Sequence, residues 1–126
     1  MTLSQQVNNM TASSKNFAAS ELTCSCCGGH GVQQWALDKL QTVRNIVGRP
    51  LAITSAYRCS NHPAEARKSK AGTHNQGIAF DIYVSSGTER HEIITTGLIV
   101  GANGIGVDKN FIHLDFRDTT PVVWTY

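Results

Sequence analysis

The sequence predicts an α+β fold, a small antiparallel sheet flanked by helices. Apolar residues recur at helical spacing over 32–47 and again over 88–100. Apolar runs of strand length stand at 51–57 and 78–84, and 111–116 alternates apolar and polar residues. The order helix, strand, strand, helix, strand runs with tight returns, which suits antiparallel pairing. A chain of 126 residues suits one domain with one modest core, so 1–126 is read as a single domain with 1–16 as a polar N-terminal arm.

The elements follow in order. NFAASEL, 16–22, supports a short helical turn at most and leads into the cysteine loop TCSCCGGH, 23–30. In the first long helix, Val32, Trp35, Ala36, Leu40, Val43, Ile46 and Val47 keep helical spacing, and Gly48 and Pro50 end it. LAITSAY, 51–57, reads as a buried strand. Residues 59–73 form a long polar loop, and long loops inside compact domains tend to be functional. IAFDIYV, 78–84, is the second strand. The second long helix takes Ser86 or Thr88 as its cap and is expected to face Ile93, Ile94, Leu98 and Ile99 inward. The glycine-rich GANGIGVD, 101–108, is expected to turn the chain before the strand FIHLDF, 111–116.

Composition bounds the function. A net charge of +2 is too small to argue for nucleic acid, and a pI near 8.4 at most helps approach to an acidic polymer. No run is long and apolar enough to span a membrane. The stretch MTLSQQVNNMTASSKNF lacks the charged start and apolar middle of a signal peptide, so synthesis in a cytosol is expected.

On the last strand, Phe111, His113 and Asp115 share one face, while Ile112, Leu114 and Phe116 point to the core. His74 leads into the strand that carries Asp81. If these strands are neighbours, His74, Asp81 and His113 converge. Two imidazoles and one carboxylate suit Zn²⁺ with a fourth position open to water, the equipment for hydrolysing an amide.

SAYR at 55–58, GTHNQGIAFDI at 72–82, FIHLDFR at 111–117 and the late Trp124 together resemble the D-Ala-D-Ala carboxypeptidase family of zinc metallopeptidases, whose fold is shared with the hedgehog signalling domain. The NF…SEL…C stretch at 17–24 is similar to small single-domain members. The resemblance implies a zinc cleft with His74, Asp81 and His113 as ligands. It also implies Arg58 as a catalytic group that binds substrate or steadies the oxyanion, with Tyr57 beside it. Two motif positions depart from the family pattern: Gly72 stands where relatives carry serine, and Ala56 where they carry glycine. Asn110 occupies the place of the usual general base, so Asp108 is the expected proton acceptor. Asp115 is the other candidate, and is read rather as the group that orients a ligand histidine.

The four cysteines leave three readings open. Cys24 and Cys27 have C-x-x-C spacing, and Cys59 and His30 complete a Cys3His metal set. Alternatively Cys59 pairs with one of the three in a disulfide, or the thiols stay free, which is the expected outcome. His62 is placed at the cleft and His91 in solvent. The expected protein is a monomeric zinc peptidase without a membrane anchor. It cuts peptidoglycan stem or cross-link peptides as a phage lysin, made in the host cytoplasm and acting in the periplasm or wall after release. Its alternatives are an inactive zinc-bearing binding module and a bacterial wall-remodelling hydrolase.

Overall fold

A computed structural model describes residues 11–66 and 72–126. The described elements are α1 (Ala19–Leu22), α2 (Gln34–Val47), β1 (Ile53–Ser55), β2 (Ala79–Tyr83), α3 (Gly87–Val100), β3 (Gly104–Val107), β4 (Phe111–Asp115) and β5 (Val122–Thr125). The strands form one sheet in the order β1-β2-β4-β3-β5. The pairings β1–β2, β2–β4 and β4–β3 are antiparallel, as expected, while β5 runs parallel to β3. This last pairing corrects the all-antiparallel expectation. The chain leaves β4 and crosses back to the start of β3, where the amide of Val122 donates to the carbonyl of Asn103 at 2.8 Å. β5 is a largely exposed edge, so it carries no apolar alternation that would announce a strand.

α2 forms because its apolar residues line one face: Ala36, Leu37, Leu40 and Val43 are fully buried. Each such Leu or Val contributes about 1.5–3 kcal/mol relative to exposure. The helix stops at Gly48, as its glycine and the following proline predict. Ser86 caps α3, its Oγ accepting the amide of Glu89 at 3.1 Å. The inward face of α3 departs from expectation. Ile93, Thr96 and Gly97 are buried, whereas Leu98 and Ile99 are 56% and 75% exposed. A period of 3.6 from Ile93 reaches 96–97 and 100, so 98 and 99 fall on the outer side.

Half of the glycine-rich segment expected to be a turn is strand β3. Glycine weighs against strand by propensity, but here it makes room for its neighbours. Gly104 lies opposite Asp115 and Gly106 opposite His113 in the β3–β4 register. A side chain at Gly104 would run into the Asp115 carboxylate, and one at Gly106 into Trp124 and Tyr126.

The sheet thus has two faces with different work. Phe80, Ile82, Ile112 and Leu114 point to a core shared with α2 and α3. Asp81, His113 and Asp115 point the other way. Of the expected arm, residues 1–10 lie outside the described part. Ala12 and Phe17 are buried, and Ser13 pairs through its backbone with the Gln34 side chain at 3.0 and 2.9 Å. Of the 59–73 loop, residues 67–71 also lie outside it.

Gly77 joins the site to α2. It holds a φ of +77°, its carbonyl accepts the amide of Gln33 at 2.9 Å, and an added Cβ would collide with the Gly31 carbonyl. Gly77→Ala is expected to cost about 2 kcal/mol or more, the left-handed strain and the clash adding together. Urea unfolding of the two chains measures it, and an unchanged midpoint contradicts this role.

Candidate metal centre

The sheet brings three of the expected residues to one point. Asp81 and His113 are directly paired across β2 and β4. His74 reaches them from the turn that precedes β2. One ligating atom from each of His74, Asp81 and His113 lies within 4.8 Å of the others, and all three residues are buried. Asp81 Oδ1 is 3.1 Å from His74 Nε2 and 3.1 Å from His113 Nδ1.

The far side of each ring is already committed. His74 Nδ1–H donates to the Ala56 carbonyl at 2.6 Å, and His113 Nε2–H donates to Asp115 Oδ2 at 2.7 Å. With those protons assigned by their partners, both neutral imidazoles direct a lone pair at the same carboxylate oxygen. Lone pairs facing at 3.1 Å repel unless a cation or a proton lies between them. The donor set therefore fits a divalent ion such as Zn²⁺, which takes two imidazole nitrogens and a carboxylate oxygen.

Without metal, protons serve instead. Burial works against ionised Asp81, but hydrogen bonds from His113 and His74 outweigh it and hold the carboxyl well below the usual carboxylate range. Burial would lower the pKa of His113, yet its bonds to Asp115 and Asp81 outweigh that and raise it above 6.5. Asp115 is fully buried and, despite burial, stays ionised because Arg117 and then His113 bond to it. The Arg117 guanidinium meets it in a fork, Nε to Oδ1 at 2.8 Å and Nη2 to Oδ2 at 2.7 Å. A buried carboxylate so paired is tolerable, while one stripped of a partner is not.

Arg58 lies at the same centre. Its Nε donates to Ser55 Oγ at 3.0 Å and its Nη2 to Asp81 Oδ2 at 3.3 Å. A cleft of about 480 Å³ opens over the cluster, within the size range of small-molecule and peptide-end sites. Phe111, Trp124 and Tyr126 form one wall, with Trp124 4.9 Å from the His113 ring and Arg117 5.4 Å above Trp124. Thr73 and Gln76 line it as well, as does Asp118.

Three expected residues stand elsewhere. Asp108 closes the β3–β4 turn, its Oδ2 accepting the Asn110 amide at 2.9 Å, and is not among the cleft-lining residues. Tyr57 packs its ring against Gly29 and Gly31 rather than lining the cleft. His62 turns to the cysteine loop, with Ser25 Oγ 3.5 Å from its Nε2.

Sequence reasoning missed Arg117, Glu65 and Asp118. The D-x-R spacing at 115–117 was the available signal for Arg117, since residues two apart share a strand face. The buried Glu65 accepts the Gly72 amide at 3.1 Å and so holds the His74 loop where a serine was missing. No local pattern distinguishes Glu65 or Asp118 from ordinary loop carboxylates.

A model of the family described as Peptidase M15 matches residues 15–115, four-fifths of the chain. The chain belongs to the peptidase M15 family. It is thus a member of a metallopeptidase family, and its α+β fold agrees with that membership. All three cluster residues and Arg58 lie inside the M15 match, whereas Trp124 and Tyr126 lie beyond it. No curated protein matches the chain. No helix among the described residues is long and apolar enough to cross a membrane.

Asp115→Asn should weaken metal binding by about 10–100-fold, because the amide holds the His113 proton less well. Chelator competition measures it. The raised pKa of His113 adds a sign. Its protonated form stabilises the metal-free fold fully below about pH 6.5, and that contribution is lost as pH rises through the raised value. Melts of the chelated chain should therefore fall over this rise, less steeply in Asp115→Asn, and equal slopes contradict the coupling.

Proposed function

We propose that the protein is a zinc-dependent peptidase that hydrolyses peptide bonds of bacterial peptidoglycan, in its stem or cross-link peptides, next to a D-centre. The observation that carries this reading is the pair of imidazole lone pairs aimed at one Asp81 oxygen beneath an open cleft, in a chain of the M15 family. His74, Asp81 and His113 would hold the zinc, which when bound supplies Lewis-acid polarisation of the carbonyl and activates water.

The chain's own residues supply the rest. Asp115 and Arg117 keep His113 in one tautomer and orientation. The Ala56 carbonyl does the same for His74. Arg58 spends one N–H on Ser55 and one on Asp81, leaving the remaining N–H groups of its fork for a substrate carboxylate or the developing oxyanion. The wall of Phe111, Trp124 and Tyr126 gives apolar contact for a short peptide and sheds water from the reacting bond. For the proton acceptor, the cleft favours Asp118 over Asp108. Asp118 lines it, while Asp108 is engaged by the Asn110 amide. A phage lysin is the setting proposed, on the likeness of the 17–24 stretch to small single-domain members.

Digestion of purified muropeptides with mass analysis of products tests this reading. His113→Ala should lose both zinc and cleavage. Arg58→Ala should keep zinc and lose about 10²–10³ in kcat/KM, the usual effect of removing one oxyanion donor. Asp118→Asn should keep zinc and lose cleavage, with Asp108→Asn close to wild type. Zinc-loaded wild type that cuts no wall peptide refutes the enzyme, and then a zinc-bearing binding module is the better reading.

A further inference from the structure

Away from the cleft, the fold gathers cysteines from two separate segments. Cys24 and Cys27 belong to the turn after α1, and Cys59 follows β1 directly after Arg58. The Sγ atoms of Cys24, Cys27 and Cys59 all lie within 4.8 Å of one another. A tetrahedral zinc thiolate centre, with Zn–S near 2.3 Å, separates its sulfurs by about 3.8 Å. The observed spread is within a side-chain adjustment of that value.

The backbone around these sulfurs is arranged for thiolates. The Cys59 amide donates to Cys24 Sγ at 3.3 Å and the Gly29 amide to Cys27 Sγ at 3.4 Å. A neutral thiol is a weak acceptor, so converging amides suit an anionic sulfur. The turn is tight: the Gly28 amide donates to the Cys24 carbonyl at 2.7 Å, and the Cys24 amide to the Gly29 carbonyl at 3.0 Å. Gly28 takes the left-handed conformation this needs, at a φ of +69°.

The fourth donor is read from what remains nearby. His30 is exposed and outside the cluster. His62 accepts the Ala64 amide at Nδ1 and turns Nε2 to Ser25. Cys26 is exposed and stands outside the three-sulfur group, its sulfur 3.9 Å from the Asn61 carbonyl, but it lies on the same turn between Cys24 and Cys27 and is one side-chain rotation from the cluster. We infer that Cys24, Cys27 and Cys59, with Cys26 as fourth thiolate, form a second metal site of the closed structural kind for a zinc-class ion. Thiolates select zinc over harder ions. Such an ion ties the turn after α1 to the residue beside Arg58, and it also steadies the Tyr57 ring against Gly29 and Gly31. Arg58 is thereby held on both sides, by the staple and by Asp81.

Co²⁺ is the probe, because thiolate ligation gives near-ultraviolet charge-transfer absorption that the two-histidine, one-carboxylate cleft lacks. The reduced full chain should show this band with Co²⁺ and lose it when Zn²⁺ displaces the probe. His113→Ala, which empties the cleft, should keep the band, so failure of the peptidase reading leaves this one standing. Cys27→Ser, at an exposed position, should weaken the band and loosen Co²⁺ binding. As a second readout, Zn²⁺ should slow alkylation of Cys26, Cys27 and Cys59 in wild type, and a chelator should restore it. Absence of the band in a chain whose four thiols titrate as free overturns the inference. So does alkylation indifferent to zinc, or a Cys27–Cys59 disulfide recovered from protein purified anaerobically with zinc.

Discussion

Two imidazole nitrogens and a carboxylate oxygen, buried together with their lone pairs converging, are the constraint on which the rest of this molecule depends. Such a set of converging lone pairs is repulsive on its own and becomes favourable around a metal cation, or with protons in its place. Everything nearby works to hold it in that state. The Ala56 carbonyl and Asp115 fix the outer nitrogens, Arg117 neutralises Asp115, and Arg58 occupies the second oxygen of Asp81. The chain Arg117–Asp115–His113–Asp81–His74 is thus one electrostatic unit, in which each charge is compensated by the next. No buried side-chain polar atom among the described residues lacks a hydrogen-bond partner.

Strand register turns this requirement into architecture. Pairing Asp81 with His113 puts Ala79 opposite Asp115 and Gly104 on its other side. Small residues on both flanks leave space for a carboxylate and its guanidinium in the middle of a sheet. The same register sends Phe80, Ile82, Ile112 and Leu114 to the core, so a slip of one residue would bury the charges and expose the core. Stability and the site are encoded in the same alternation. The helices matter to the cleft through this core, and α3 can approach closely because Gly97 leaves room for Leu114.

Much of this was legible in the amino-acid order. The alternation in FIHLDF separates a site face from a core face, and the His74–Asp81 spacing matches a turn leading into a strand. The missing parts depend on long-range geometry. β3 was hidden because Gly104 and Gly106 weigh against strand until the bulk of Asp115 and Trp124 is known. β5 was hidden because an exposed edge strand has no buried face to imprint a period. Leu98 and Ile99 misled because apolar content was read without following the helical phase from Ile93. Asp108 looked available on a glycine-rich turn, and only the fold reveals that its carboxylate caps that turn. The cysteines could not be resolved by spacing, since Cys59 is 35 residues from Cys24 and meets it only through packing of the loop after β1 on the turn after α1.

The most direct test is the recovery of cleavage by a chelated chain as zinc is added back, wild type beside His113→Ala. No muropeptide cleavage is expected without metal, with recovery in wild type as zinc is restored and none in His113→Ala. Cleavage that persists in the metal-free chain, or that stays absent when zinc occupies His74, Asp81 and His113, would contradict this expectation.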